Sequence, residues 1–114
     1  MNAHNLFDMS EKTVIITGAA GLLGSQYAEG LSQAGSNVVL ADINYNECKK
    51  LAKNIREKYP VDPLPIKLDI TNKNSIRKGI SIILKKYKKI DVLINNAAFQ
   101  GSVGKDRIVD MVDL

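Results

Sequence analysis

One cysteine, one histidine, no tryptophan and an aromatic share of 5% leave this 114-residue chain few of the side chains that carry difficult chemistry. Cys48 stands alone, so an intrachain disulfide is excluded, and a lone thiol fits a reducing compartment. With no motif partner it reads as a small buried residue, not a nucleophile. His4 lies near the N-terminus, which leaves a histidine base or a zinc site without support, and no metal constellation is present. No run approaches the roughly 18 apolar residues of a membrane span, and Met1-Asn2-Ala3-His4-Asn5 lacks a signal-peptide pattern. The expectation is a cytoplasmic protein with no membrane partner.

What the chain does have in excess is positive charge, with 16 Lys and Arg against 12 Asp and Glu. The basic residues bunch at Lys49-Lys50, Lys53, Arg56 and Lys58, and again at Lys85-Lys86 and Lys88-Lys89. Both bunches fall on segments whose apolar residues recur at helical spacing, and no aromatics interleave to stack bases. They read as solvated helix faces, and no nucleic-acid partner is expected. At this length the chain forms one domain at most, with a modest core.

The stretch that organises the rest is Thr13-Val14-Ile15-Ile16-Thr17-Gly18-Ala19-Ala20-Gly21-Leu22-Leu23-Gly24. A β-branched run from Val14 to Ile16 suits a strand buried on both faces. It runs into three glycines, Gly18, Gly21 and Gly24, after which the spacing becomes helical. Amides at a helix N-terminus lack intrahelical partners, and the helix dipole adds positive charge there, so strand, turn and helix start together make an anion site. The glycines supply the turn, the close approach and the packing that a pyrophosphate needs, and the amides around Leu22 and Leu23 complete the cradle.

The remaining chain alternates in the same way. A helix is predicted from about Leu22 to Ala34, with Leu23, Tyr27, Leu31 and Ala34 as its inward stripe and Gly35 as its stop. Asn37 to Asp42 reads as a second buried strand. Asn44 or Asn46 caps a helix to about Tyr59, with Cys48, Leu51, Ala52, Ile55 and Tyr59 inward. Pro60, Pro63 and Pro65 break it, and Pro65 to Asp69 reads as a third strand. Thr71 or Asn72 caps a third helix with Ile76, Ile80, Ile83, Leu84 and Tyr87 inward. Ile90 to Ile94 is the fourth strand. Leu6 and Phe7 are expected to dock on the sheet, and a further helix is expected to begin within 108–114. Strict alternation predicts a parallel, doubly wound α/β sheet in the order 3-2-1-4, with ligands outside the carboxyl ends of its strands.

Four stretches now stand in register: Thr17-Gly18-Ala19-Ala20-Gly21-Leu22-Leu23-Gly24, then Asp42, then Leu68-Asp69-Ile70-Thr71, then Asn95-Asn96-Ala97-Ala98. In order and spacing they resemble the short-chain dehydrogenase/reductases, from about Leu6 onward. The resemblance implies a Rossmann domain that binds a nicotinamide dinucleotide, with residues 1–114 as the N-terminal part of that single domain. Asp42, 18 residues past Gly24, suits the acid that accepts hydrogen bonds from the adenosine ribose hydroxyls. Its charge would repel a 2′-phosphate, and Ile43 to Glu47 offer no Arg or Lys to attract one, so NAD is expected over NADP. A helix N-terminal acid is the alternative for Asp42. By the resemblance, Asp69 meets the adenine amine through its carboxylate and Ile70 meets the base through its backbone. Asn95 ties the fourth strand to its neighbours, and Ala97 lies against the cofactor's ribose. Asp69 could equally cap the following helix, and Asn95 and Asn96 could be turn formers.

The family's proton-transferring Ser and Tyr-x-x-x-Lys fall well beyond its Asn-Asn-Ala stretch. No catalytic residue is therefore assigned in this chain. Tyr45-Asn46-Glu47-Cys48-Lys49 matches the pattern but follows the second strand, on the adenosine side of the cofactor. The glycine spacing resembles the extended branch that modifies sugar nucleotides, whereas Asn95-Asn96-Ala97 resembles the shorter branch. The resemblance thus implies the dinucleotide-binding half of an NAD-dependent oxidoreductase, with a small-molecule substrate and a homo-oligomeric assembly at full length. The alternatives are an epimerase or dehydratase acting on a sugar nucleotide, and a non-catalytic nucleotide-binding module. The last would call for polar residues on the open flank of the fourth strand, where Val92, Leu93 and Ile94 have none.

Overall fold

The computed structural model describes residues 9–97. Four strands, β1 (Thr13–Thr17), β2 (Asn37–Asp42), β3 (Leu64–Lys67) and β4 (Val92–Ile94), form one sheet in the order β3-β2-β1-β4. Every pairing is parallel. Three helices connect them: α1 (Leu22–Gln33), α2 (Tyr45–Lys58) and α3 (Lys73–Tyr87). The expectations for Leu6, Phe7 and 108–114 fall outside the described residues.

Alternation along the strands sorts the core into two layers. Val14, Ile16, Val38 and Leu40 pack with Ala28 of α1 and with Cys48, Ala52 and Ile55 of α2. Ile15, Val39 and Ala41 face the other way, onto Ile76 and Ile83 of α3 with Ile66 and Leu68. With helices on both faces, β1 has no water-facing side, and all five of its residues are buried.

The local signals act as their chemistry requires. Asn44 caps α2 by accepting from the Glu47 amide, and Asn72 caps α3 by accepting from the Ser75 amide. α1 ends with Gly35 at φ +93°; Gly35 N–H donates to Ser32 O and Ser36 N–H to Leu31 O. β3 and β4 are shorter than the sequence suggests, although Leu68 still donates to Asp42 O just past the end of β3.

Two stripes need correction. On α1, Leu23 and Tyr27 do not face the sheet; they are 49% and 40% exposed, and the buried residues are Gly24, Ala28 and Ser32. The cause is how closely α1 approaches the turn before it. A Cβ on Gly24 would lie 2.3 Å from Gly18 O, so only the smallest side chains fit on that face. The helix is turned by one residue to bring them in, and Leu31 alone of the expected leucines packs partly against the core. On α3, Leu84 is 41% exposed and Gly79 takes the buried place. A Cβ there would stand 3.2 Å from the ends of Ile66 and Leu68, so α3 also lies close over β3.

Candidate functional site

A cleft of about 290 Å³ opens where the strands end. It is lined by Thr17 and Gly18 after β1, by Ala41, Asp42 and Ile43 at the end of β2, by Leu68 to Thr71 after β3, and by Ala97 beyond β4. Parallel pairing puts all four carboxyl ends on one rim, and the order 3-2-1-4 places its switch point between β1 and β4. Gly18, Asp42, the adjacent Asp69 and Ile70, and Ala97 are thus brought together from four separate places in the sequence.

Thr17 fastens the two sides of that switch point. Its Oγ1 is wholly buried and accepts from the amides of Asn96 (2.9 Å) and Ala97 (3.0 Å). Its single proton points toward Ile94 O (3.4 Å) and Asn95 Oδ1 (3.3 Å). Gly18 follows at φ +67°, and a Cβ on it would come within 2.9 Å of Ala97 Cα. The absence of a side chain there lets the segment after β4 lie against the turn. Asn96 Nδ2 adds a bond to Gly18 O at 3.4 Å. Asn95 sits at the end of β4 and touches Thr17 but does not line the cleft.

Both carboxylates are oriented before any ligand is considered. Asp42 accepts from the Ala20 amide through Oδ2 (3.1 Å) and from the Asn44 amide through Oδ1 (2.9 Å). It does not itself cap α2, a place taken by Asn44, but its Oδ1 holds the amide of that capping residue, so it does stand as an acid at the N-terminus of α2. Asp69 accepts from both the amide (2.9 Å) and the hydroxyl (2.7 Å) of Thr71, while its own amide donates to Ser75 Oγ (2.9 Å). Nor does Asp69 cap α3, since Asn72 does so. Thr71, one of two cap candidates in the sequence, thus bonds Asp69 and leaves the cap to Asn72, while Ser75 takes the Asp69 amide, a role the sequence does not announce. The Asp-x-Thr spacing was the available signal, because an Asp side chain commonly bonds the backbone two residues on.

Gly21, Leu22, Leu23 and Gly24 lie outside the cleft lining, at the head of α1. Gly21 is the N-cap, and no side chain bonds the amides there. Leu22 is 81% exposed beside it, and Gly24 presses on Gly18. Tyr45 and Lys49 stand at the start of α2 with the Lys49 ammonium 4.8 Å from the Tyr45 ring centre, a surface cation–π pair. Cys48 is buried, and burial, helped by the charge of Asp42, pushes its thiol up to about 12. It is inert packing. Among the described residues, no three His, Cys, Asp or Glu side chains could hold a metal, and no helix is long and apolar enough to cross a membrane.

The family model described as short chain dehydrogenase matches residues 12–111. The chain belongs to that family. An NADP-dependent 3-hydroxy acid dehydrogenase from Schizosaccharomyces pombe is 35% identical over 101 residues, a match covering 88% of this chain and 38% of the relative. An NAD-dependent glycerol dehydrogenase from Listeria innocua is 40% identical over 91 residues, covering 80% of this chain and 34% of the relative. This short-chain dehydrogenase domain thus spans little more than a third of the curated relatives' length. Among solved structures, a hydroxysteroid dehydrogenase from Escherichia coli superposes with a TM-score of 0.79 at 28% identity, over 92% of this chain and 44% of that one.

Proposed function

We propose that this chain forms the dinucleotide-binding part of an oxidoreductase that moves hydride between a nicotinamide and a hydroxyl or carbonyl carbon, with NAD as its cofactor. The observation that carries this reading is one cleft, at the carboxyl rim of a parallel sheet, that holds two pre-oriented carboxylates beside a glycine turn. Gly18, Gly21 and Gly24, with the first-turn amides of Leu22 and Leu23, would take the pyrophosphate. Asp42 would take the ribose hydroxyls, Asp69 and Ile70 the adenine, and Ala97 the ribose nearer the nicotinamide. Asn95, with Thr17, would hold β4 in place behind them. The cofactor supplies the hydride chemistry; these residues bind and orient it.

The preference for NAD rests on charge. Among the described residues, the cleft lining contains Asp42 and Asp69 and no Lys or Arg, so a 2′-phosphate would meet negative charge there. Lys50 lines a neighbouring groove with Ala20, but its ammonium is paired with Glu47 at 3.2 Å. That lysine is the specific observation favouring NADP as the second reading. The substrate is a small hydroxyl or carbonyl compound and the assembly a homo-oligomer. The free, buried thiol of Cys48 supports the reducing cytoplasm as its place.

Calorimetric titration with NAD and with NADP tests the reading. Wild type is expected to bind NAD more tightly. Asp42→Ala is expected to lose about 10- to 100-fold in NAD affinity, the worth of a hydrogen bond to a charged group, and to narrow the gap to NADP. An unchanged preference in that variant would sink the ribose assignment.

A further inference from the structure

The amides of the glycine turn are unequally committed. Ala19 N–H donates to Ala41 O at 3.2 Å and Gly21 N–H to Gly18 O at 3.1 Å, both backbone bonds. The amide between them, Ala20 N–H, instead depends on a side chain, the Oδ2 of Asp42 at 3.1 Å. The same carboxylate is gripped from the other side by Asn44 N–H on Oδ1 at 2.9 Å. A carboxylate offers about four lone-pair sites, so both bonds leave acceptor capacity for a ligand.

We propose, on the reading that the cleft binds a dinucleotide, that Asp42 is also a positioning residue for the pyrophosphate turn, latching Ala20 so that the turn is shaped before the nucleotide arrives. The turn needs such a strut. Gly18 and Gly21 flank Ala19-Ala20, and glycine restricts the backbone least. Gly18 holds a left-handed conformation from which the turn can relax, and no other side chain among the described residues bonds an amide between Gly18 and Gly24. Without the carboxylate, Ala20 N–H loses its partner and the turn is free to reorient away from the geometry that a pyrophosphate requires. Ribose selection and phosphate affinity are then one coupled property. Replacing Asp42 to admit NADP costs grip on the part of the cofactor that NAD and NADP share.

The experiment separates the two roles with a ligand that lacks the hydroxyls. ADP and 2′,3′-dideoxy-ADP are titrated into wild type, Asp42→Ala and Asp42→Asn. The dideoxy nucleotide offers Asp42 nothing to bond, so a pure ribose ligand would leave its affinity unchanged across the three proteins, and that result overturns the proposal. The expected result is a loss of about tenfold for dideoxy-ADP in both variants. Asparagine has one oxygen for two amides and turns its NH₂ toward the other, so it does not rescue. Amide hydrogen exchange on ligand-free protein gives the second readout. Ala20 is expected to be protected in wild type and to exchange faster in the variants, with the amides of Val38 to Ala41 unchanged. An Ala20 amide that exchanges at the open-chain rate in wild type overturns the proposal whether or not the variants fold. If wild type binds neither nucleotide while Ala20 is protected, the dinucleotide reading fails and takes the binding role with it; the latch itself would stand.

Discussion

Asp91 sits at the foot of β4, on the rim opposite the cleft, and its Oδ2 accepts the Thr13 amide at 2.8 Å across 78 residues of sequence. Asp91 N–H returns the bond to Thr13 O at 2.9 Å, and the Lys89 ammonium stands 3.3 Å from the same carboxylate. The Thr13 amide, more than Lys89, holds Asp91 below the ordinary carboxylate range, against a smaller opposing effect of burial. A folded-state pKa below the unfolded one means that folding favours the ionised group. Its stabilisation is complete above the ordinary carboxylate range and is lost as pH falls through the depressed value. Asp91→Ala is therefore expected to lower the melting temperature at neutral pH, with the gap to wild type closing as the solution is acidified through that lower range. A gap that stays constant with pH would mean that the charge is not what Asp91 contributes. This bond was illegible in the sequence, as was the role of Thr17, because each residue finds its partner nearly the whole described chain away. Asp42 and Asp69 were legible because each is fixed by its place at a strand end, a local property.

At the scale of the element, α1 carries two glycines with opposite consequences. Gly24 faces the turn, and a Cβ there would collide with Gly18 O and come within 2.9 Å of Ala19 Cα, both backbone and unable to yield. Gly30 lies on the exposed side with nothing within 4 Å of where its Cβ would be. Gly24→Ala is expected to destabilise by about 1–3 kcal/mol or more through overpacking. Gly30→Ala is expected to stabilise by roughly 0.5–1 kcal/mol, since alanine loses less freedom in a helix interior. Urea unfolding of the two variants checks both signs, and equal effects would refute the account of how α1 sits. The same close approach explains why the ends of the helices were easier to read than their faces. Gly35, Asn44 and Asn72 act within their own turn. The inward face of α1 was set by backbone proximity, so side chains too small to register as a hydrophobic stripe took the place expected for Leu23 and Tyr27.

For the molecule as a whole, the sheet has two unlike edges among the described residues. Leu68 N–H points toward β2, so alternation turns the bonding groups of Pro65 and Lys67 outward along β3. Proline has no N–H to offer there, and Lys67 is exposed and charged; both discourage pairing with another strand. Pro65→Val restores a donor at the open edge, and the variant is expected to scatter light at lower concentration than its parent. Unchanged scattering would mean that the edge was not closed by its proline. β4 carries no such guard, with Val92 38% exposed beside Leu93 and Ile94. The order 3-2-1-4 was legible because alternation and the handedness of crossovers allow few arrangements, whereas the difference between the edges depends on which way each backbone group points. Thr17 adds a last consequence, in time as well as in space. Its bonds run to residues 77 to 80 positions later, so the cleft belongs to the slow, high-contact-order part of folding. During synthesis β1, β2 and β3 emerge first, and the cleft stays unfinished until Asn96 and Ala97 leave the ribosome and settle on that one hydroxyl.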